Sequence, residues 1–225
     1  INQSKQAKAQ MDSGVTLMDP SRFDLRGTLS CGQDVVIDVN VVIEGAVTLG
    51  DRVTIGPNNV LRNCQIAAGT VVHPNCVIEA ADIGPDCRIG PFARIRPESR
   101  VAEHAHIGNF VEIKKATIGA GSKVNHLSYV GDTVMGAGVN IGAGTITANY
   151  DGVNKHRTEI GDDVQIGSNC VLVAPVTVGA GATVGAGSTI SKAAPAGQLT
   201  LARGRQVTLA RWQRPVKTRA GGDET

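Results

Sequence analysis

Aliphatic residues return every six positions along most of this 225-residue chain, and each is usually followed by glycine or another small or polar residue. This spacing fits neither one amphipathic helix nor a single alternating strand. It is typical of a hexapeptide β-solenoid, in which each repeat is a short strand plus a corner and stacked repeats bury a continuous core. The aliphatic anchors are Ile37, Ile43, Leu49, Ile55, Leu61, Ile66, Val72, Ile78, Ile83, Ile89, Ile95, Val101, Ile107, Ile113, Ile118, Val124, Val130, Ile160, Ile166, Leu172, Val178, Val184 and Ile190.

The repeat divides the chain into three parts. Residues 1–27 lie outside it, with a helix-compatible stretch at 4–11, and we interpret them as the stub of a longer preceding segment. Residues 28–192 form the solenoid, with about nine or ten coils stacked over roughly 45 Å. A polar excursion at 149–159 (NYDGVNKHRTE) is predicted to project as a loop. Residues 193–225 are predicted to be an irregular arm that ends in a disordered tail (AGGDET).

Composition narrows the class of protein. Aromatic residues make up only 3% of the chain, which suits a narrow coil without room for rings, and the net charge of +2 gives no basis for nucleic-acid binding. We find no signal peptide and no apolar stretch that could span a bilayer. The five cysteines show no CxxC spacing, which favours small interior residues in a reducing compartment. We therefore expect a cytoplasmic protein that binds neither nucleic acid nor membrane.

One outward column carries alternating charges that end in two cations. With three repeats per coil, residues 17 or 18 apart lie above one another, and the position after every third anchor is Glu44, Arg62, Glu79, Arg96, Lys114 and then Gly131. Arg96 and Lys114 are like charges about 5 Å apart, an arrangement that a phosphate would stabilise. The alternative is a surface network in which Glu79 and Glu112 neutralise the pair.

A second column joins a histidine to a strip of small residues. Two positions past the anchors of an adjacent face stand Pro57, Pro74, Pro91, Asn109, His126, Ala143, Ser168 and Ala186. Small side chains expose backbone N–H groups, so a long thin ligand could lie there with its reactive end at His126. The alternative is that alanine and serine merely favour tight corners.

Among the five histidines, His126 is the candidate general base, because an ordinary imidazole titrates near neutral pH. His73, His104 and His106 show no obvious constellation in the sequence, and His156 lies on the loop. Zinc was considered, but His104 and His106 share no column with His126, so no metal site is predicted.

Four segments of the chain resemble a known family: IRPESRV, GNFVEIKKATIGAGSKVNHLSYVGD, NIGAGTITANYDGVNKHRTEIGDDVQIGSN and LVAPVTVGAGATVGAGS. They are similar to the acetyltransferase domain of the bacterial bifunctional N-acetylglucosamine-1-phosphate uridyltransferase/glucosamine-1-phosphate acetyltransferases. The NHLSY segment and the NYDG loop are more specific than the repeats. The resemblance implies an all-β, left-handed parallel β-helix, and a homotrimer with active sites between subunits. Handedness comes from the resemblance alone, since parallel crossovers are generally right-handed.

The resemblance also implies an activity and residue roles. The activity is acetyl-CoA-dependent N-acetylation of glucosamine 1-phosphate, a step toward UDP-N-acetylglucosamine for peptidoglycan and lipopolysaccharide. His126 would be the catalytic base, oriented by Glu112 or a backbone carbonyl. The sugar phosphate would be held by Arg96, Lys114, Tyr129, Asn140 and, from a neighbouring subunit, Lys155. Acetyl-CoA would be held by Ala143, Asn149, Tyr150, Ser168, Ala186 and Arg203.

The full-length relatives would carry an N-terminal nucleotidyltransferase domain, and residues 1–27 would be the remnant of the helix that links it. Uridylyl transfer and its Mg²⁺ should therefore be absent here, and no metal is expected. Glu98 and Asn125 depart from the family pattern, where we expect glycine. Two alternatives stay open: a hexapeptide acyltransferase with another acceptor, and a non-catalytic scaffold.

Overall fold

The computed structural model describes residues 3–215 and is a parallel β-helix that follows one short helix. The helix is α1 (Gln3–Asp12), and a 3₁₀ turn covers Pro20–Arg22. Within the described residues, no helix is long and apolar enough to cross a membrane. The expected disordered tail lies outside the described residues.

Twenty-eight short strands make up the described β-helix. They are β1 (Thr16–Leu17), β2 (Asp24–Cys31), β3 (Val36–Ile37), β4 (Val42–Leu49), β5 (Thr54–Ile55), β6 (Val60–Arg62), β7 (Gln65–Ile66), β8 (Val71–Val72), β9 (Val77–Glu79), β10 (Ala81–Ile83), β11 (Arg88–Ile89), β12 (Arg94–Ile95), β13 (Ser99–Val101), β14 (His106–Asn109), β15 (Glu112–Lys114), β16 (Thr117–Ile118), β17 (Lys123–His126), β18 (Tyr129–Gly131), β19 (Thr133–Met135), β20 (Asn140–Ile141), β21 (Ile146–Ala148), β22 (Thr158–Ile160), β23 (Gln165–Ile166), β24 (Val171–Val173), β25 (Val176–Val178), β26 (Thr183–Val184), β27 (Thr189–Ile190) and β28 (Leu199–Thr200).

Parallel pairing arranges the strands in three faces. The first face runs β1-β3-β5-β8-β11-β14-β17-β20-β23-β26-β28. The second face runs from β2 and β4 through β6, β9, β12, β15, β18, β21 and β24 to β27, and the third from the end of β4 through β7, β10, β13, β16, β19 and β22 to β25. The long strands β2 and β4 join the second and third faces into one sheet. The predicted parallel β-helix is therefore confirmed.

The strand register confirms the predicted stacking interval. On the second face, Arg94 pairs with Glu112 and Glu112 with Tyr129, so each coil consumes 18 or 17 residues. Every aliphatic anchor predicted from the sequence is at most 3% exposed. The six-residue period therefore creates the core, because each anchor turns inward at the same point of its repeat.

Pairing extends past both predicted limits of the solenoid. At the start, β1 pairs with β3, and Val15, Leu17 and Phe23 are buried although they do not follow the hexapeptide period. At the other end, β28 pairs with β26, beyond residue 192. Apolar side chains that close the ends of the core extend the coil without the repeat.

Candidate active site

The corner between the first and second faces carries the predicted histidine column. Backbone bonds link its members coil by coil: the Gly144 N–H donates to the His126 carbonyl at 3.1 Å, and the Asn169 N–H donates to the Ala143 carbonyl at 2.7 Å. One coil further, the Gly187 N–H donates to the Ser168 carbonyl at 2.9 Å. The structure thus brings together His126, Ala143, Ser168 and Ala186, as the register predicts.

The strip above His126 presents unused backbone donors. Among residues 3–215, the N–H groups of Ala143, Ser168 and Ala186 take no part in the backbone hydrogen bonds between coils. Arg203, in the arm, donates from its guanidinium to the Ala186 carbonyl at 3.1 Å and closes the far end of the strip. A ligand with amide groups along its length can pair with such donors, and the small side chains leave room for it.

His126 is exposed, and its imidazole contacts an amide from the coil below. Its Nδ1 lies 2.8 Å from Oδ1 of Asn109, the residue paired with it on β14. The expectation that Glu112 or a backbone carbonyl orients the ring is wrong, because Glu112 contacts Arg96 instead. The sequence contained the signal, since Asn109 stands directly below His126 in the predicted column.

Two further histidines share a groove with His126. His73, His106, Asn109 and Asn125 line it together with His126, and the groove encloses about 320 Å³. Burial, followed by the charge of Arg88 and the neighbouring histidines, lowers the pKa of His106. The sequence gave no sign of this constellation, because His73 and His106 lie on different positions of their repeats. Among the described residues, these imidazoles form no metal-binding group.

Arg96 and Lys114 lie beside each other at the end of the second face, as the column predicts. The pairing of Ile95 with Ile113 sets them side by side, and the Arg96 guanidinium donates to Oε1 of Glu112 at 2.8 Å. Glu112 therefore neutralises part of the Arg96 charge, as the surface-network alternative proposed. That ion pair does not extend to Lys114, whose neighbour is another cation.

Lys155 adds a third cation to this group. A hydrogen-bonding contact with Lys155, then burial and the charges of Lys155 and Arg96, lower the pKa of Lys114. We name Arg96, Lys114 and Lys155 the cation group. The structure differs here from the expectation that Lys155 comes from a neighbouring subunit, because the loop folds back onto its own chain. Crowded cations that repel each other are a site where an anion is stabilised.

Tyr129 occupies the space that Gly131 leaves above Lys114. A Cβ added to Gly131 would overlap the hydroxyl end of Tyr129, so the ring lies against this glycine. Gly131 pairs with Lys114 across β15 and β18. The missing side chain at the end of the charge column therefore has a structural reason, because it admits the tyrosine ring beside the cation group.

The projecting loop is a tight hairpin that presents Lys155. Tyr150 and Lys155 form an antiparallel bridge, and Asp151 accepts hydrogen bonds from the Val153 and Asn154 N–H groups. Asp151 also contacts the His156 ring at 2.6 Å. The hydrogen bond from His156, followed by those from the backbone, lowers the pKa of Asp151. The position of Lys155 is therefore built into the local sequence.

The remaining predicted residues fall in three places. Asn149 is buried at the base of the loop and donates to Asp132 and Tyr129, so it borders the cation group as well as the loop. Tyr150 is 60% exposed, and its hydroxyl donates to the Gly152 carbonyl. Asn140 lies on the first face between Lys123 and Gln165, away from the cation group. Roles in ligand binding for these three remain predictions.

Comparisons with known proteins agree with this architecture. Residues 157–192 match the family described as "Bacterial transferase hexapeptide (six repeats)", and residues 25–104 match "GMPPB C-terminal domain". The fold is similar to that of LpxA, a UDP-N-acetylglucosamine acyltransferase from Bacteroides fragilis, with a TM-score of 0.60 over 81% of this chain and 70% of that one. At 17% identity, this likeness shows the fold alone.

Sequence relatives are much closer. The chain is 62% identical to the bifunctional protein GlmU of Methylibium petroleiphilum over 96% of its own length and 47% of that protein. It is 59% identical to GlmU of Cupriavidus taiwanensis over 96% of its length and 48% of that protein. The chain thus spans about half the length of the curated relatives it matches. With this identity along nearly all of its coils, the chain belongs to the GlmU family, as a hexapeptide-repeat parallel β-helix.

Proposed function

We propose that this chain transfers the acetyl group of acetyl-CoA to the amine of glucosamine 1-phosphate, giving N-acetylglucosamine 1-phosphate and coenzyme A. One observation carries the proposal: an accessible imidazole at the end of a strip of free N–H donors, a few residues along the chain from the cation group. The strip suits the thin, amide-containing arm of coenzyme A, and the cations suit a phosphate. The identity to GlmU proteins supports this choice of substrates.

The cation group anchors the sugar phosphate. Arg96 offers a planar fork of donors, whereas Lys114 and Lys155 act as point charges. Tyr129 borders the same space and positions the sugar ring. Anchoring one end of the substrate turns the encounter of amine and thioester into an oriented reaction, which lowers the entropic part of the barrier.

His126 performs the proton transfer. The amine of glucosamine 1-phosphate arrives as ammonium, and neutral His126 accepts one proton from it through Nε2. The amine nitrogen then forms a bond to the thioester carbon, and the Ala143 N–H stabilises the resulting oxyanion. The C–S bond breaks as the tetrahedral intermediate collapses, and the imidazolium returns its proton to the departing thiolate of coenzyme A.

The proposal includes a homotrimer with the sites between subunits. Support comes from an exposed apolar edge: Phe92, Phe110 and Leu127 occupy the left-handed corner positions that other coils fill with asparagine or glycine. Phe92 and Phe110 stack at 5.2 Å, and Phe110 and Leu127 follow Asn109 and His126 directly. Covering this edge with a second copy would shield it and enclose the histidine. We also place the protein in the cytoplasm, where acetyl-CoA and the reduced thiols belong.

An acceptor panel tests the proposal. Release of coenzyme A thiol from acetyl-CoA is measured with glucosamine 1-phosphate, glucosamine 6-phosphate, free glucosamine and serine as acceptors. We expect the highest kcat/KM for glucosamine 1-phosphate, with free glucosamine far weaker because it lacks the phosphate. A preference for serine would indicate another acyltransferase. No thiol release with any acceptor, and no thermal stabilisation by millimolar acetyl-CoA, would indicate a scaffold.

A further inference from the structure

Asn109 stands where the stacking of coils can control the chemistry of His126. It ends β14, one coil below the end of β17, and the two residues are register partners. Neighbouring coils are one inter-strand spacing apart, which is the distance at which short side chains of paired residues meet. Their contact is thus a consequence of the 17-residue turn between positions 109 and 126.

The contact specifies which ring nitrogen of His126 carries hydrogen. The Asn109 oxygen lies 2.8 Å from Nδ1, and an amide oxygen can only accept a hydrogen bond. Nδ1 must therefore hold the hydrogen of the neutral ring, which leaves the lone pair on Nε2. A ring with the opposite tautomer has its proton on Nε2 and cannot accept another there, so the tautomer decides whether the histidine is a base.

No other group of the site serves this purpose. Glu112, the nearest carboxylate candidate, contacts Arg96. The groove around His126 is lined by the titratable side chains His73 and His106, and Lys123 lies on the same strand as His126. Among the described residues, the hydrogen bond to the His126 ring comes from Asn109.

We propose that Asn109 is the positioning residue that fixes the Nδ1–H tautomer of His126 and aims its Nε2 at the substrate amine. The inference rests on the proposed function, because a tautomer matters to catalysis only if His126 is the base. Asn109 touches no reacting atom and acts through the imidazole. A neutral amide in this role holds the ring without the strong added basicity that a carboxylate would give it.

The first measurement is the tautomer itself, read from nitrogen–carbon-proton correlations in protein labelled with ¹⁵N-histidine. His126→Gln assigns the His126 signals. We expect hydrogen on Nδ1 in the wild type at neutral pH, and a shift toward the Nε2–H form in Asn109→Leu. An Nε2–H ring in the wild type, or an unchanged tautomer in Asn109→Leu, overturns the inference. Because this measurement needs no substrate, it stands even if the proposed function fails.

Steady-state kinetics provide the second measurement. Asn109→Leu is expected to lower kcat by about 10- to 100-fold, as loss of outer-shell partners does for other functional histidines, with less change in either KM. Asn109→Asp keeps an acceptor oxygen, so it should restore much of kcat and move the acidic limb of kcat/KM to higher pH by about one unit, because it adds a negative charge. A merely structural role would lower thermal stability in both variants without moving that limb, and it would overturn the inference.

Discussion

Replacing Lys114 by glutamine tests whether the cation group is the phosphate anchor. The chain offers a matched control at the next position, because Lys115→Gln makes the same change of charge and size. Lys114 faces Lys155 and Arg96, whereas Lys115 turns away at the corner and lies 3.7 Å from Glu98. The two variants therefore separate a local contact from a general loss of positive charge.

The magnitude follows from the contact that is lost. A hydrogen bond between charged groups contributes about 1.5–3 kcal/mol, and 1.4 kcal/mol is a factor of ten in affinity. Lys114→Gln should therefore raise the KM for glucosamine 1-phosphate by about 10- to 150-fold while changing the KM for acetyl-CoA less than about threefold. Lys115→Gln should change neither constant by more than about twofold, since its ion pair is exposed.

Initial rates of thiol release, with each substrate varied at saturating concentration of the other, measure these constants. Thermal unfolding supplies a second readout. Lys114→Gln should be at least as stable as the wild type without ligand, because it removes repulsion from Lys155 and Arg96. Equal increases of the sugar-phosphate KM in the Lys114 and Lys115 variants would refute the assignment of the cation group.

Three further changes probe the rest of the site. Gly131→Ala should displace Tyr129 and raise the KM for the sugar phosphate, with the thermal midpoint lowered only modestly; unchanged kinetics would show that the ring is not needed there. Because burial and nearby cations lower the pKa of His106, its protonation in the unfolded chain destabilises the fold as pH falls through about 6.5, so His106→Gln should flatten the loss of thermal stability between pH 7.5 and 5, and an unaltered slope would contradict this. Burial raises the pKa of Cys31 to about 11 and of Cys64 to about 12, so an aromatic disulfide reagent at pH 8 should modify native Cys31 slowly and Cys64 only after unfolding; rapid modification of both would contradict the buried positions.

The sequence was sufficient for the stacked fold because a solenoid converts spacing directly into contact. Once each coil consumes 17 or 18 residues, His126 must lie below Ala143 and Arg96 beside Lys114, and the register confirms both. The limits of the coil were harder to predict. Val15 and Phe23 close the first turn by filling its interior, and they leave no six-residue period to detect.

The other differences arise where side chains leave their own column. Lys155 reaches Lys114 because Asp151 tightens a hairpin, and a turn of that kind has no place in a repeat. Glu112 contacts Arg96 through a diagonal that column arithmetic does not describe. The groove joins His73 and His106 to His126 from different repeat positions, since the glycines between them carry no side chain to separate the rings. Tertiary geometry, rather than spacing, decides these contacts.

The central claim is that His126 transfers the proton that lets the sugar amine attack acetyl-CoA. Its most direct test is the rate of N-acetylglucosamine 1-phosphate formation by His126→Ala, compared with the wild type under saturating substrates. We predict a loss of about 10²- to 10⁴-fold in kcat with acetyl-CoA binding and thermal stability retained. Turnover within a few-fold of the wild type would contradict the account, because no proton acceptor would then be needed at this corner.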